Sequence, residues 1–182
     1  MKARTGVTML LVLAAALAAA VATAGWDPQE EQKNLAAAEE TIKSFKAADA
    51  GLQAYFKGAF AYAVFPTIGK GGLIVGGSHG TGLVFQGGKV VGSASVSSAS
   101  IGLQAGGASY SELVFFKDKA TFDNFKNGDV KFSAQVSAVA AKEGAAAANS
   151  YNEGVAVFVQ SKGGLMADAS VGGQKFSFEP KK

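Results

Sequence analysis

His79 is the single histidine of the chain and the first residue to consider for chemistry, because imidazole is the commonest general base near neutral pH. It lies in the glycine-rich run Gly76–Gly82. We assign neither a hydrolase nucleophile elbow nor a paired-histidine metal motif to this run. We therefore expect His79 on an exposed turn, with a catalytic or ligand role as the weaker alternative.

Asp168 is the second candidate, since it interrupts the apolar segment Leu165–Ala169. Its position predicts a solvent-exposed side chain, opposite the apolar residues. If the strand curls into a barrel that holds a ligand, Asp168 could instead be a lone inward polar group. No second carboxylate stands at a spacing that would make an acid–base pair. The sequence therefore predicts no catalytic residues, no metal site and no cofactor.

The composition indicates one folded domain that is rich in turns. The chain has 182 residues, of which 48% are hydrophobic and 17% charged, a balance that argues against disorder. The 24 glycines do not follow the collagen period. The absence of cysteine excludes disulfides and thiolate metal sites.

The first 24 residues read as a secretory signal peptide. Lys2 and Arg4 precede the apolar run Val7–Val21, which ends in the small-x-small triplet Ala22–Ala24. A transmembrane anchor is the alternative, although the run is short and alanine-rich for a span. Without a cysteine for lipid attachment, we expect a periplasmic or secreted protein that begins near Gly25.

Charge argues against nucleic-acid binding. The 17 basic residues outnumber the 14 acidic ones, but Lys2 and Arg4 leave with the signal peptide, so the mature chain is nearly neutral. Arg4 is also the only arginine, so the mature chain has no guanidinium to grip phosphate or guanine.

Residues 28–57 form a predicted helical start. Pro28 suits the first helical position, and apolar residues recur at helical spacing along one stripe. That stripe consists of Leu35, Ala38, Ile42 and Phe45. We expect a helix that covers a sheet, or alternatively an amphipathic helix that touches a membrane. A second short helix is predicted over residues 50–57.

Residues 59–178 have the pattern of strands joined by tight turns. Apolar and polar residues alternate most clearly from Val130 to Ala138. Gly87-Gly88 and Gly172-Gly173 suit two-residue hairpins, and a change of apolar phase predicts a bulge or turn near Ser97-Ser98.

One more helix interrupts the strands. Phe122 and Phe125 lie three residues apart between Asp118 and the stop signal Asn127-Gly128. Residues 140–150 fit either a loop or a short helix. Together the patterns predict an α+β fold, with an antiparallel β-barrel core of about seven strands and two or three helices on its surface.

Three blocks of the strand region resemble the SYLF domain family. Residues 63–72 are similar to its V-F-P segment and K-x-G turn, residues 100–116 to its S-I-G-L-Q block and the apolar strand that follows, and residues 161–167 to its late K-G-L-x-A segment. They occur in the family's order and span nearly all of the predicted domain, residues 25–182. Ser78-His79 and Asp168 depart from the residues common in relatives.

The resemblance implies a barrel core with packed helices and a lipid-binding role. It implies weak binding to phosphoinositides in bacterial members, phosphoinositide membranes as partners of fungal and animal relatives, and actin as a partner of some fungal ones. Lysine can place a point charge beside a lipid phosphate. The candidate lipid-binding residues are Lys43, Lys46 and Lys57 in the helical start and Lys70 in the family-like turn. Alternatively, these are ordinary solubilising lysines.

The leading hypothesis is therefore an exported, non-enzymatic protein that contacts anionic phospholipid or phosphoinositide-like headgroups weakly. An integral outer-membrane β-barrel or envelope structural protein is the alternative, because short alternating strands in an exported chain also fit that class. A hydrolase or transferase built around His79 or Asp168 is the third hypothesis.

Overall fold

The computed structural model describes residues 28–71, 75–101, 108–128, 138–163 and 173–181, and it has an α+β fold. The helices are α1 (Pro28–Ala48), α2 (Leu52–Gly58), α3 (Lys119–Lys126) and α4 (Ala145–Ala148). The strands are β1 (Ala61–Gly71), β2 (Val75–Gln86), β3 (Lys89–Ile101), β4 (Ala108–Phe116), β5 (Ala138–Ala140), β6 (Val155–Gly163) and β7 (Lys175–Pro180). The α+β prediction is confirmed.

The seven strands form one sheet in the order β5-β6-β4-β1-β2-β3-β7. The prediction of a purely antiparallel barrel with two or three helices needs correction. β5 pairs with β6 in parallel, and the described ranges contain four helices. Within those ranges no strand pairing joins β5 to β7, so the sheet has two edges rather than closing on itself.

One face of the sheet, which we call the α1 face, is covered by α1, α2 and α4. Ala38 and Phe45 of α1 and Leu52 of α2 are fully buried there, and Leu35 and Ile42 pack beside them. The predicted apolar stripe of the first helix is therefore the surface that meets the sheet. Burial of this stripe stabilises α1, because an isolated helix gains little from propensity alone.

The opposite face, the α3 face, is covered in part by the eight-residue helix α3. Phe122 and Phe125 are buried, as their spacing predicts, and Phe125 packs on Phe116 of β4 with ring centroids 4.6 Å apart. Asp118 caps α3 by accepting a 2.8 Å hydrogen bond from the Thr121 amide. The short helix at residues 118–126 is thus confirmed.

A bulge in the central strand β1 sets which residues reach the α3 face. The register with both neighbours shifts between Val64 and Ile68, at the site of Pro66, which has no amide to give to the ladder. Because of the shift, Phe65 and Ile68 both belong to the α3-face core although they are three residues apart. The Ser111 hydroxyl donates a 2.8 Å hydrogen bond to the Pro66 carbonyl.

The close approach of β1 at this bulge explains a glycine of β2. A Cβ on Gly82 would lie 2.2 Å from the Val64 carbonyl oxygen, so no side chain fits there. The predicted hairpin at Gly87-Gly88 is also confirmed, since these residues join β2 to β3 at φ angles of +58° and +77°.

The bulge predicted at Ser97-Ser98 is wrong. β2 and β3 pair without interruption from Val75↔Ile101 to Val84↔Gly92, and the register shifts only beyond, where Val91 is the extra residue. Residues 140–150, predicted as loop or helix, contain the single turn α4.

Some predictions fall outside the described residues. These are the signal peptide over residues 1–24, most of the alternating segment that starts at Val130, and the strand Leu165–Val171 before the second predicted hairpin.

Candidate functional site

Three of the four candidate lysines lie on the two N-terminal helices. Lys43 and Lys46 are three residues apart on α1, so they project from the same side of the helix, and Lys57 lies in the last turn of α2. The Lys46 ammonium group sits 4.5 Å above the ring centroid of Phe56, the residue before Lys57. We call Lys43, Lys46, Lys57 and Phe56 the helix-corner patch.

Few acidic residues accompany the lysines of the helix-corner patch, although Glu39 and Glu40 lie one helical turn before Lys43. Between Ile42 and Gly58 the only acidic residue is Asp49. Its carboxylate turns inward and accepts hydrogen bonds from the amides of Gly51 (2.8 Å) and Ala146 (2.6 Å). These bonds lower the pKa of Asp49, the bond from Ala146 most and that from Gly51 next. The carboxylate is therefore ionised, but its oxygens are occupied by backbone amides. The three lysines are therefore the outward charges of this segment.

A strip of aromatic rings continues from the helix-corner patch onto the sheet. Phe56 meets Tyr62 of β1 edge-to-face at 5.1 Å, and Tyr62 stacks on Phe85 of β2 at 5.0 Å. Phe56 and Tyr62 are only half-buried. Lysines beside partly exposed aromatic rings suit the interface between water and a lipid surface, where rings and headgroups mix.

Lys70 does not join the other three lysines. Its backbone lies near the far end of the 11-residue strand β1, while α2 leads into the strand's first residue. At ~3.3 Å per residue the strand spans roughly 30 Å. A single flat contact through the helix-corner patch would therefore leave Lys70 out.

The residues considered for catalysis are not assembled into a site. His79 is exposed within β2 rather than on a turn. Residues Gly76–Gly80 match the Gly-x-Ser-x-Gly pattern of a hydrolase nucleophile. They lie inside strand β2, however, and not at the strand–helix turn that this nucleophile requires. Ser78 of this run is buried and shares a 2.7 Å hydrogen bond with Ser98. Asp168 lies outside the described residues, and among the described ones no three metal-ligating side chains cluster.

A polar groove of about 290 Å³ separates α1 from the β1 bulge. Its polar groups are largely paired with each other: the Ser44 hydroxyl donates to Gln160 at 2.8 Å, and the Lys162 ammonium donates to the Thr67 hydroxyl at 3.2 Å. A ligand would have to break these bonds, so we assign no site there.

A buried polar cluster on the α3 face is the feature that sequence reasoning missed. Glu112 of β4 is completely buried, and its Oε2 accepts a 2.9 Å hydrogen bond from Nε2 of Gln174. The same Nε2 lies 3.3 Å from the hydroxyl of Tyr110, which is also buried. The sequence did carry a sign of this cluster in β4, where a glutamate takes an inward position between Tyr110 and Val114.

The helices of the described ranges were also compared with the length and hydropathy that a membrane span requires, and none of them meets both.

Comparison with known proteins gives two matches. Residues 97–182 match the family model described as "Ysc84: Las17-binding protein actin regulator". A 71-residue stretch is 37% identical to "Beta cell expansion factor A" from Aeromonas veronii, and it covers 39% of this chain and 27% of that protein. The match thus spans about a quarter of the curated relative.

Proposed function

We propose that this chain, whose residues 97–182 match the Ysc84 (SYLF) family model, is a lipid-binding protein that acts at a membrane surface. The helix-corner patch is the contact surface. It brings the ammonium group of Lys46 to 4.5 Å from the ring of Phe56 and keeps Lys43 and Lys57 exposed beside it. This juxtaposition is the observation that carries the proposal.

The ligand we propose is an anionic phospholipid or a phosphoinositide-like headgroup. Each lysine near an anionic surface contributes about 1 kcal/mol, so three lysines give a weak interaction that salt screens. The near-neutral charge of the mature chain makes binding local rather than general. We also propose export by the predicted signal peptide, which places the protein in the periplasm or outside the cell.

The proposed role is non-enzymatic. His79 is exposed on a strand, Ser78 is bonded to Ser98, and the fully buried Glu112 has an amide as its partner. These positions offer no nucleophile beside a base that a substrate could reach.

Vesicle co-sedimentation tests the contact surface. The chain from Gly25 to Lys182 is mixed with vesicles of phosphatidylglycerol and phosphatidylcholine, or of phosphatidylcholine alone, at low and high salt. We expect pelleting with the anionic vesicles that salt weakens. The triple variant Lys43→Gln, Lys46→Gln, Lys57→Gln should bind on the order of a hundredfold more weakly, given about 1 kcal/mol per lysine.

The matched control neutralises three other lysines, Lys119, Lys126 and Lys175, and so removes the same total charge. Its binding should remain close to that of the unmodified chain. Equal losses in both triple variants would show that net charge, not the helix-corner patch, drives binding. No pelleting with either vesicle at low salt would contradict lipid binding itself.

Actin is the second candidate partner, and it rests on the description of the matched family model as an actin regulator. Co-sedimentation with filamentous actin tests it separately. Pelleting that survives the triple lysine substitution would place an actin contact away from the helix-corner patch.

A further inference from the structure

The strand β4 carries an acidic residue where its pattern calls for an apolar one. Tyr110, Val114 and Phe116 point into the α3-face core, and Glu112 shares their phase in the strand. Its strand neighbours are Phe65 of β1 and Val159 of β6, both buried in the same core. An ionised carboxylate in such surroundings is costly unless a cation or several donors meet it.

Among the described residues, the Glu112 carboxyl has one hydrogen-bond partner, the side-chain amide of Gln174, which lies just before β7 and is 2% exposed. Two oxygens of this pair have no partner among the described residues: Oε1 of Glu112 and Oε1 of Gln174. Both are acceptors when Glu112 is ionised, so neither can satisfy the other.

A single proton on Glu112 would give both unpaired oxygens a hydrogen-bond partner. If it resides on Oε1 of Glu112, that atom becomes a donor, and the Gln174 oxygen is an acceptor on the group already bonded to the carboxyl. The acid and the amide would then pair through two bonds: the N–H···O bond that the structure shows and an O–H···O bond between the two oxygens that lack partners. This arrangement uses every polar hydrogen-bonding position that the ionised form leaves empty.

We propose that Glu112 is protonated in the folded protein, that the resulting acid–amide pair with Gln174 fastens the start of β7 to β4 across the α3 face, and that loss of the proton releases β7.

The charges around Glu112 support the neutral form. β1, β6 and β7 present Phe65, Val159 and Phe176 to this core, and β4 itself adds the phenol of Tyr110. In the described ranges that phenol is the one titratable group that interacts electrostatically with Glu112. Lys162 of β6 and Lys175 of β7 are exposed. Burial raises the pKa of Glu112 to about 7, and the bond from Gln174 opposes the rise.

Release of β7 would matter because this strand closes the aromatic core. In the described residues β7 pairs with β3 alone, and its Phe176 and Phe178 pack on Phe125 of α3 at 5.6 Å and 6.2 Å. Ionisation of Glu112 therefore connects pH near neutrality to the exposure of apolar surface at this edge.

Urea unfolding from about pH 5 to about pH 9 tests the proposal on the chain from Gly25 to Lys182, with amide hydrogen exchange of β7 as a second readout. A raised folded-state pKa means that the unfolded chain releases the proton first, so stability falls as pH rises toward and through about 7. We expect the unfolding equilibrium constant to increase on the order of a hundredfold over that range, and β7 amides to exchange faster than those of β1.

The variant Glu112→Gln keeps the shape and cannot ionise, so its stability should be nearly flat over the same pH range and exceed that of the unmodified chain at the alkaline end. Glu179→Gln, at an exposed glutamate of β7, is the matched control and should retain the full pH dependence. Parallel profiles for the unmodified chain and Glu112→Gln would overturn the proposal.

Carboxyl-carbon NMR of the unmodified chain keeps the test decisive if Glu112→Gln does not fold. A glutamate carboxyl that titrates near neutrality, in step with faster exchange of β7, supports the proposal. Glutamate carboxyls that all titrate below about pH 5 show an ionised Glu112, which overturns it.

Discussion

Among the described residues, each face of the sheet holds one buried carboxyl group, and the two groups are stabilised in opposite charge states. On the α1 face, Asp49 accepts hydrogen bonds from the amides of Gly51 and Ala146, which lower its pKa. On the α3 face, Glu112 has one side-chain amide as partner, and burial raises its pKa to about 7. The comparison teaches that the number of donors aimed at a buried carboxyl decides whether it is ionised.

The opposite shifts predict opposite responses to pH. Asp49 contributes stability above its unfolded-state pKa, and that contribution is lost as pH falls through the lowered folded-state value. Glu112 is best tolerated at acidic pH, and stability is lost as pH rises from its ordinary value of 4.5 through about 7. The α1 face therefore weakens on the acid side and the α3 face on the alkaline side.

The largest loss of stability is expected when a buried phenylalanine is removed from either face of the sheet. Phe125→Ala on α3 removes a fully buried ring that contacts the rings of Phe116 and Phe176, and it should destabilise the protein by about 3–5 kcal/mol. Phe45→Ala on α1 should cost a similar amount, because Phe45 is equally buried. Urea unfolding measures both, with Asn124→Ala at an exposed position of α3 as control.

If Phe125→Ala cost less than about 1 kcal/mol while Phe45→Ala cost several, the α3 face would be a loosely attached layer. The two faces would then not be comparable halves of one cooperative core.

A smaller loss of stability is expected at the β1 bulge, where the register shift puts Phe65 and Ile68 on the same face of the sheet. Gly82→Ala would place a Cβ 2.2 Å from the Val64 carbonyl oxygen and 2.8 Å from a Phe65 ring carbon. The backbone must shift, at a cost of about 1–3 kcal/mol. Gly69→Ala is the control, because nothing lies within 4 Å of the added atom. Equal thermal stability of the two variants would mean that the bulge adjusts freely.

The smallest effect is expected in the acid response to which Asp49 contributes. The amides of Gly51 and Ala146 donate to different oxygens of the Asp49 carboxylate, so Asp49→Asn keeps one acceptor oxygen, removes the titratable charge and loses one of the two bonds. We expect the variant to lose less stability than the unmodified chain when pH falls from about 6 to about 3, since its side chain has no proton to gain. Thermal melts along this range measure the difference, and identical acid profiles would exclude Asp49 as the linked group.

Local patterns predicted the elements that depend on local chemistry. Residue spacing predicted the apolar stripe of α1 and, with the stop signal Asn127-Gly128, the two-phenylalanine helix α3. The paired glycines predicted the Gly87-Gly88 hairpin. The register shift of β3 was misplaced because it depends on the partner strand: it falls opposite Val84 and Phe85 of β2, not at the serines where the apolar phase changes.

The candidate surface was only partly predictable. Helical spacing puts Lys43 and Lys46 on one side of α1, but the contact of Lys46 with Phe56 requires the turn between α1 and α2. The separation of Lys70 from that corner follows from the direction of β1 across the sheet. Glu112 was missed because single-strand alternation does not show that a distant glutamine will reach the same core.

The sequence by itself determined the α+β class, the strand-rich texture, the helical start and the family resemblance, since periodicity, turn residues and motif order are local properties. Only the tertiary structure decided that the described part of the sheet has two edges, that Pro66 redirects β1, and that Glu112 meets Gln174, 62 residues further along the chain. Charge state and contact are set by what folding brings next to a residue, because desolvation and hydrogen bonding act through space rather than along the sequence.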